Sequence, residues 1–496
     1  MRAKAAFPFM LLSFTAYGGT CPLTETGTSL FGPGGKGYID WHGFIPGTAT
    51  STHRQNITSA AVDPRSNTWL TTNTHSTQGV VLNNPMFQSD AFGSPWIGQV
   101  IHYVHGNTQR RMSIISKSKR LDPGTMPVPN RPRIAGYYGP FSRPQPGGQF
   151  GPYLIDPGFY LIRLQGPGDQ QMHVVDIDNC IEYDAYGCDD LGSGISCSNY
   201  GAYDLLAGDV QRPYAVSDVS NTASVSGIPG LYGRLGWDEW NSPGGIKHAI
   251  NVTAMNGWNF LVPAFTGAAN HAQYPSGNAW DNTRMPFGSK IRLKASFDPK
   301  ANGIPAGCMP LINVLKTYGA IFVDGGLTAN AAIQEVGNLW PWDCPVPTGG
   351  SVLFTPANAE VVVQSQSHIY CIPGYTGCPD SLPTGSAPTI SSFTINGGAS
   401  AAVALTENKQ TVSLVWSVSG VVDLDGNPVR LRYISWGPNN SFGPGPIDGP
   451  GHGESMNVTV CFSNGCDIQN SGTYSIELMV QNRFGRTSRN ITLKVK

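Results

Sequence analysis

Glycine and proline punctuate this chain throughout, 61 and 39 of its 496 residues, and leave little room for long helices. Glycine costs a helix backbone entropy, and proline removes an amide donor and clashes with the preceding turn. Between these breakers lie short apolar runs. Residues 100–104, 111–115, 159–162, 173–177, 248–252 and 290–295 read as strands. Residues 305–318 predict the one clear helix, with Leu311, Leu315 and Tyr318 on a single face. A buried strand follows at 320–323, and a second short helix fits 331–339. Residues 121–158 are too dense in Pro and Gly for a central strand and read as a long ordered loop.

Beyond residue 387 the pattern becomes regular. Residues 412–416, 431–436, 458–461, 474–480 and 491–495 alternate apolar and polar side chains at the spacing of a β-sandwich. The turn Asp423-Leu424-Asp425-Gly426-Asn427 and the following strand with Tyr433 and Trp436 resemble those of bacterial Ig-like and PKD-like modules. That resemblance implies a spacer or binding accessory. The expected fold is mainly β, with a large β-sandwich or jelly-roll-like domain holding one or two helices (56–370). A Pro/Gly/Ser-rich linker (371–387) and a C-terminal Ig-like β-sandwich (388–496) complete it.

Arg2 and Lys4 precede an apolar stretch over residues 5–16, shorter than the roughly 20 residues that span a bilayer. Ala16-Tyr17-Gly18 offers a small-x-small cleavage site, so 1–18 read as an export signal and 19–55 as an extended arm. A competing reading places a lipid on Cys21. Ten cysteines suit an oxidising compartment. Cys371 with Cys378 and Cys461 with Cys466 predict local disulfides; Cys180, Cys188 and Cys197 crowd one region, and Cys21, Cys308 and Cys344 are candidates for distant pairing. Paired CxxC spacing for zinc is absent from the sequence. A net charge of −1 without basic runs argues against nucleic acid as a partner. No later apolar segment is long enough to predict membrane insertion.

In the large domain, His173-Val174-Val175-Asp176-Ile177-Asp178-Asn179-Cys180, Trp237-Asp238-Glu239-Trp240, His248-Ala249-Ile250-Asn251 and Arg292-Leu293-Lys294-Ala295 occur in that order. Over residues 56–345 they resemble a widespread group of secreted bacterial proteins. That group carries a His-Ala-Leu-Arg-Phe motif and a Gly-x-x-Arg-Leu-Lys-Ala motif. The resemblance implies a domain and no reaction. Asn251 stands where the group has arginine, which puts any role of that arginine in doubt here.

The candidate chemistry rests on Asp238, Glu239, His248, Lys294, Asp298 and Asp324. A glycosidase needs a carboxyl acid and a carboxylate base or nucleophile, which Glu239 with Asp238 or Asp324 would supply. A polysaccharide lyase needs a base and a cation, here His248 with Lys294. The plainer alternative has Asp238 and Glu239 capping a turn, His248 beginning a strand and Lys294 at the surface. Trp237, Trp240 and Trp280, with Arg292, would grip sugar in an exposed groove; otherwise large aromatics belong in the core. Trp258, Trp340 and Trp342 raise the same choice. No cofactor is implied except a structural calcium on Asp423, Asp425 and Asn427, residues that equally make a plain turn. His173 with Asp176 and Asp178 either holds a cation or forms an ordinary strand end. Asn-x-Ser/Thr sequons start at Asn56, Asn251, Asn439, Asn457 and Asn490, about the number this composition yields by chance.

These features together lead to the expectation of a secreted enzyme acting on an extracellular polysaccharide, first a glycoside hydrolase and third a lyase. The alternative between them is a non-catalytic glycan-binding or cell-surface structural protein. An open cleft joining the acids would favour the enzyme; acids paired inside a closed core would count against it.

Overall fold

The computed structural model describes residues 21–28, 41–72, 101–109, 111–116, 124–128, 172–190, 194–214, 224–234, 236–254, 259–265, 282–325, 353–371, 377–437, 442–448, 454–462 and 466–496. The expected strand at 159–162, the helix at 331–339 and Trp258, Trp280, Trp340 and Trp342 lie outside these residues. The protein is mainly β, as its composition requires. Its helices are short: α1 (Ser66–Thr72), α2 (Trp237–Trp240) and α3 (Met309–Thr317). α3 lies within the expected helix, buries Leu311 and Leu315, and stops at Gly319. There φ is +77°, and a Cβ would sit 2.4 Å from the Ile291 carbonyl oxygen, so only glycine fits.

Among the described residues before 371, three sheets form. The first orders β1 (Gly27–Thr28), β2 (Ile101–Val104), β5 (Met172–Asp176), β6 (Ile181–Tyr186) and β9 (Asn199–Asp204). The second orders β4 (Thr125–Pro127), β3 (Arg111–Ser116), β8 (Gly194–Cys197) and β7 (Asp189–Asp190). Within the stretch expected to be all loop, β4 is thus a strand, but it lies at a sheet edge, where proline is tolerated. The third orders β10 (Ile250–Ala254), β12 (Ala320–Gly325), β11 (Lys290–Leu293) and β13 (Ala359–Val362), packed against α3. β2 with β5, β3 with β8 and β10 with β12 run parallel.

Residues 389–495 form a two-sheet sandwich. One sheet is β14 (Thr389–Ile395), β16 (Gln410–Ser419) and β19 (Ser455–Val460). The other is β15 (Ser400–Val403), β21 (Gly485–Val495), β20 (Gly472–Asn482), β17 (Leu431–Trp436) and β18 (Phe442–Asp448). Phe393, Leu414, Trp416, Tyr433, Ile476 and Leu493 fill the space between them. Four disulfides are described: Cys21–Cys180, Cys188–Cys197, Cys371–Cys378 and Cys461–Cys466. The two local bridges and the distant pairing of Cys21 agree with the cysteine spacing. No helix among the described residues is long and apolar enough to cross a membrane.

The sandwich does not hang from its linker alone. One hydrophobic cluster runs from Met112, Tyr183 and Ala202 to Trp416, Tyr433 and Leu478. At the junction Arg430, on the approach to β17, reaches Asp204 at the end of β9. Arg430 Nη2 donates to Asp204 Oδ1 at 2.5 Å, and Nε and the backbone N–H of Arg430 donate to Oδ2 at 2.9 Å. Both side chains are buried. Asp423 Oδ2 accepts the Gly208 N–H, and Asp425 accepts the Thr50 hydroxyl. The acidic loop considered for calcium therefore has its oxygens engaged by protein donors, and Asp423 Oδ1 accepts the Asn427 N–H of the turn itself.

Removing one partner of a buried bidentate pair leaves a desolvated charge, at a cost of about 3–5 kcal/mol. Arg430→Met is expected to destabilise by that amount in urea titrations. With the core shared, sandwich and mixed-sheet signals should be lost in one transition. Two separated transitions in the native protein would contradict the shared core.

Candidate functional site

The antiparallel register of β5 and β6 sets His173 opposite Asp184 and Val175 opposite Glu182, while β2 sets Tyr103 beside Val175. Tyr103, His173, Glu182 and Asp184 consequently share one face of the first sheet. Covering that face are Leu23, Trp41 and Phe44 of the N-terminal arm, fastened through Cys21–Cys180, and the turn Gly230–Gly233. Asp238 and Glu239 approach from α2, and His248 from just before β10.

The structure brings Glu239 and His248 together. His248 Nε2 lies 3.1 and 3.2 Å from the two Glu239 oxygens, and its Nδ1 lies 2.8 Å from the Ala249 carbonyl. Both ring nitrogens face acceptors, an arrangement that favours the imidazolium. Burial works against that charge, but the Glu239 carboxylate outweighs it and raises the His248 pKa above its usual value. The pair is closed: His248 is 0% and Glu239 6% exposed. Trp41 stacks on the imidazole with centroids 6.4 Å apart, donates its indole N–H to Tyr103, and gives its backbone N–H to Asp238 Oδ2. Glu239 Oε2 also accepts the Gly236 N–H. Asn251 is buried nearby, its carboxamide oxygen against Gly233.

The other sequence candidates lie apart. Lys294 donates to the Pro356 carbonyl at 2.6 Å. Asp298 caps its own turn through the N–H groups of Lys300 and Ala301. Arg292 forms a cross-strand ion pair with Glu360 at 2.7 Å. Asp324 is half-buried near the end of β12, opposite Thr253. Trp240 is a core residue; Trp237 begins α2, and its side chain lies outside the described residues. His173, Asp176 and Asp178 do not form a cation site. Asp176 accepts N–H groups from Gly106, Asp178 and Asn179, while Asp178 pairs with His105 in the turn.

His173 instead meets two acids that sequence reasoning missed. Its Nδ1 lies 3.2 Å from Asp184 Oδ1 and 3.4 Å from Glu182 Oε1, and its Nε2 lies 3.3 Å from Arg234 Nη2. Burial, with Arg234 and His102 close by, lowers the His173 pKa and keeps the ring neutral. Because Arg234 can only donate, Nε2 is the acceptor and Nδ1 carries the proton. A metal would need that Nδ1 lone pair, so this trio is better suited to a hydrogen-bond relay than to a metal centre. Burial and the adjacent Asp184 push the Glu182 carboxyl well above its usual range, although Arg234 and the Leu231 N–H oppose them. Alternation in Ile181-Glu182-Tyr183-Asp184-Ala185 could have placed both acids on one face; nothing in it says that the face is covered.

A neighbouring cavity lined by His53, Asp209, Gln211, Tyr232 and Asn251 has room for about one water, far too little for a sugar ring. Beside it, burial lowers Lys290 to about 7 and raises Asp209 to about 6. Lys290 Nζ donates to the carbonyls of Thr52 and Gln55, and Asp209 Oδ2 accepts from the amide and hydroxyl of Thr52. No known protein family matches this chain, and no curated protein matches it either.

Because the folded His248 pKa is raised, the stabilisation from the His248–Glu239 pair is full below about pH 6.5, the unfolded value, and is lost as pH climbs through the folded value. Glu239→Gln is expected to cost about 3 kcal/mol near pH 6, with the gap to wild type narrowing in alkaline buffer. Urea titrations of both proteins across that range measure the gap. A gap that does not change with pH would contradict the charged pair.

Proposed function

We propose that this chain is a non-catalytic extracellular structural protein, its mixed sheets and its sandwich acting as one rigid unit. The observation that carries this reading is the closure of Glu239 on His248 beneath Trp41, which leaves the foremost acid–base candidate no route to substrate. A general acid must reach the proton it transfers. Lys294 and Arg292 are committed to a carbonyl and an ion pair, and Asp324 lies opposite Thr253, toward the end of β10 away from His248. Disulfides and the basic–apolar N-terminus support an exported location.

A retaining glycosidase is the second reading, and one observation favours it. Carboxylate oxygens of Glu182 and Asp184 lie no more than 4.8 Å apart, which groups them as closely as the paired carboxyls of a retaining enzyme. Against it, both residues are fully buried under the Gly230–Gly233 turn.

A panel of neutral, acidic and amino polysaccharides, assayed for new reducing ends and for unsaturated products, is expected to give none with the full chain. Product that disappears in Glu182→Gln would overturn the structural reading in favour of the glycosidase. Product that disappears in Glu239→Gln would overturn it in favour of the acids first expected from the sequence.

A further inference from the structure

We propose that Asn56 is an acceptor for N-linked oligosaccharide and that Asn251, although it heads an equally good sequon, is not. Sequence alone treats the sequons Asn56-Ile57-Thr58 and Asn251-Val252-Thr253 alike. The structure separates them. Asn56 is exposed in a loop that follows the turn Thr52–Arg54, and its Oδ1 accepts both the backbone N–H of Thr58 at 2.9 Å and the Thr58 hydroxyl at 2.8 Å. The Asn56 amide nitrogen has no partner among the described residues. Between the two, Ile57 is buried and its N–H is held by the Thr317 carbonyl, which anchors the turn while its polar ends face outward.

This geometry suits the chemistry. A carboxamide nitrogen is a poor nucleophile because its lone pair is delocalised onto oxygen. Two hydrogen bonds into Oδ1 polarise the group and make an Nδ2 proton easier to remove. Attack of Nδ2 on the anomeric carbon of an oligosaccharide carried on a lipid pyrophosphate then forms the N–C bond. The C–O bond to the pyrophosphate breaks, the lipid pyrophosphate leaves with the electron pair, and Nδ2 gives up one proton to the transferring enzyme. The Asn56 contacts span two residues, so the turn is also available to a nascent chain before it folds.

Asn251 differs in every respect. It lies on β10, is 2% exposed, and its carboxamide oxygen packs where a Cβ on Gly233 would be 2.0 Å away. A glycan there has no space, and a chain carrying one could not complete β10. Among the remaining sequons, Asn457 and Asn490 are exposed but lie on strands, and Asn439 lies outside the described residues. Along a strand, residues two apart share a face about 7 Å from one another, beyond hydrogen-bond reach for these short side chains. The Thr459 hydroxyl is in fact given to Asp467.

The test is to secrete the full chain from a eukaryotic host, isolate the folded form, and treat it with peptide:N-glycosidase in heavy-oxygen water before peptide mapping. The expected result is heavy aspartate at position 56 and unmodified asparagine at 251. Thr58→Ala should abolish the label at 56, Thr58→Ser should restore part of it, and the fold should survive both changes because Thr58 is exposed. An unlabelled Asn56 in folded, secreted protein would overturn the proposal, as would label at Asn251 in that same material.

Discussion

Asp204 and Arg430 set the terms for the rest of this molecule. Their two-pronged contact is buried where two β units meet, and neither charge is tolerable there without the other. The end of β9 must therefore present Asp204, and the segment before β17 must arrive with Arg430. Leu424 then donates to the Asp209 carbonyl, and Gly208 to Asp423. A hydrophobic cluster continuous across the same boundary makes the sandwich part of the body. The charge pair fixes orientation; the apolar burial supplies most of the driving force.

The same rule explains the candidate site. Few charged residues are available in this chain, yet many of them are inside: Glu182, Asp184, Arg234, Glu239, His248, Lys290 and Asp209. Such groups survive burial by finding partners, by shifting their protonation, or both. Glu239 favours the charged form of His248 against the cost of burial, whereas burial, with Arg234 beside it, favours the neutral form of His173. A network satisfied in this way rigidifies a core, and it also consumes the lone pairs and protons that catalysis or metal binding would use.

Much of the fold was legible in the sequence. Alternation marked β16, β17, β19 and β20, the spacing of Leu311, Leu315 and Tyr318 marked α3, and short cysteine loops marked two disulfides. The residues of the site were legible but their pairing was not: Glu239 was matched with Asp238 or Asp324 and His248 with Lys294, whereas Glu239 meets His248. Burial was not legible. A strand reading Glu-Tyr-Asp looks half-exposed, and only the arm and the Gly230–Gly233 turn, distant in sequence, cover its polar face. The partners of Arg292, Lys294 and Asp298 are equally a matter of tertiary neighbours, such as Glu360 and Pro356, that no local pattern announces.

The central claim is that Glu239 and His248 form a sealed pair, and reactivity toward diethyl pyrocarbonate measures it most directly. His105 and His368, whose side chains are 54% and 61% exposed, serve as references within the same protein. In native protein they should be modified readily while His248 stays unmodified until urea unfolds the chain. Modification of His248 at the rate of His105 and His368 under native conditions would contradict the account, because it would mean that the pair lies open to solvent and substrate.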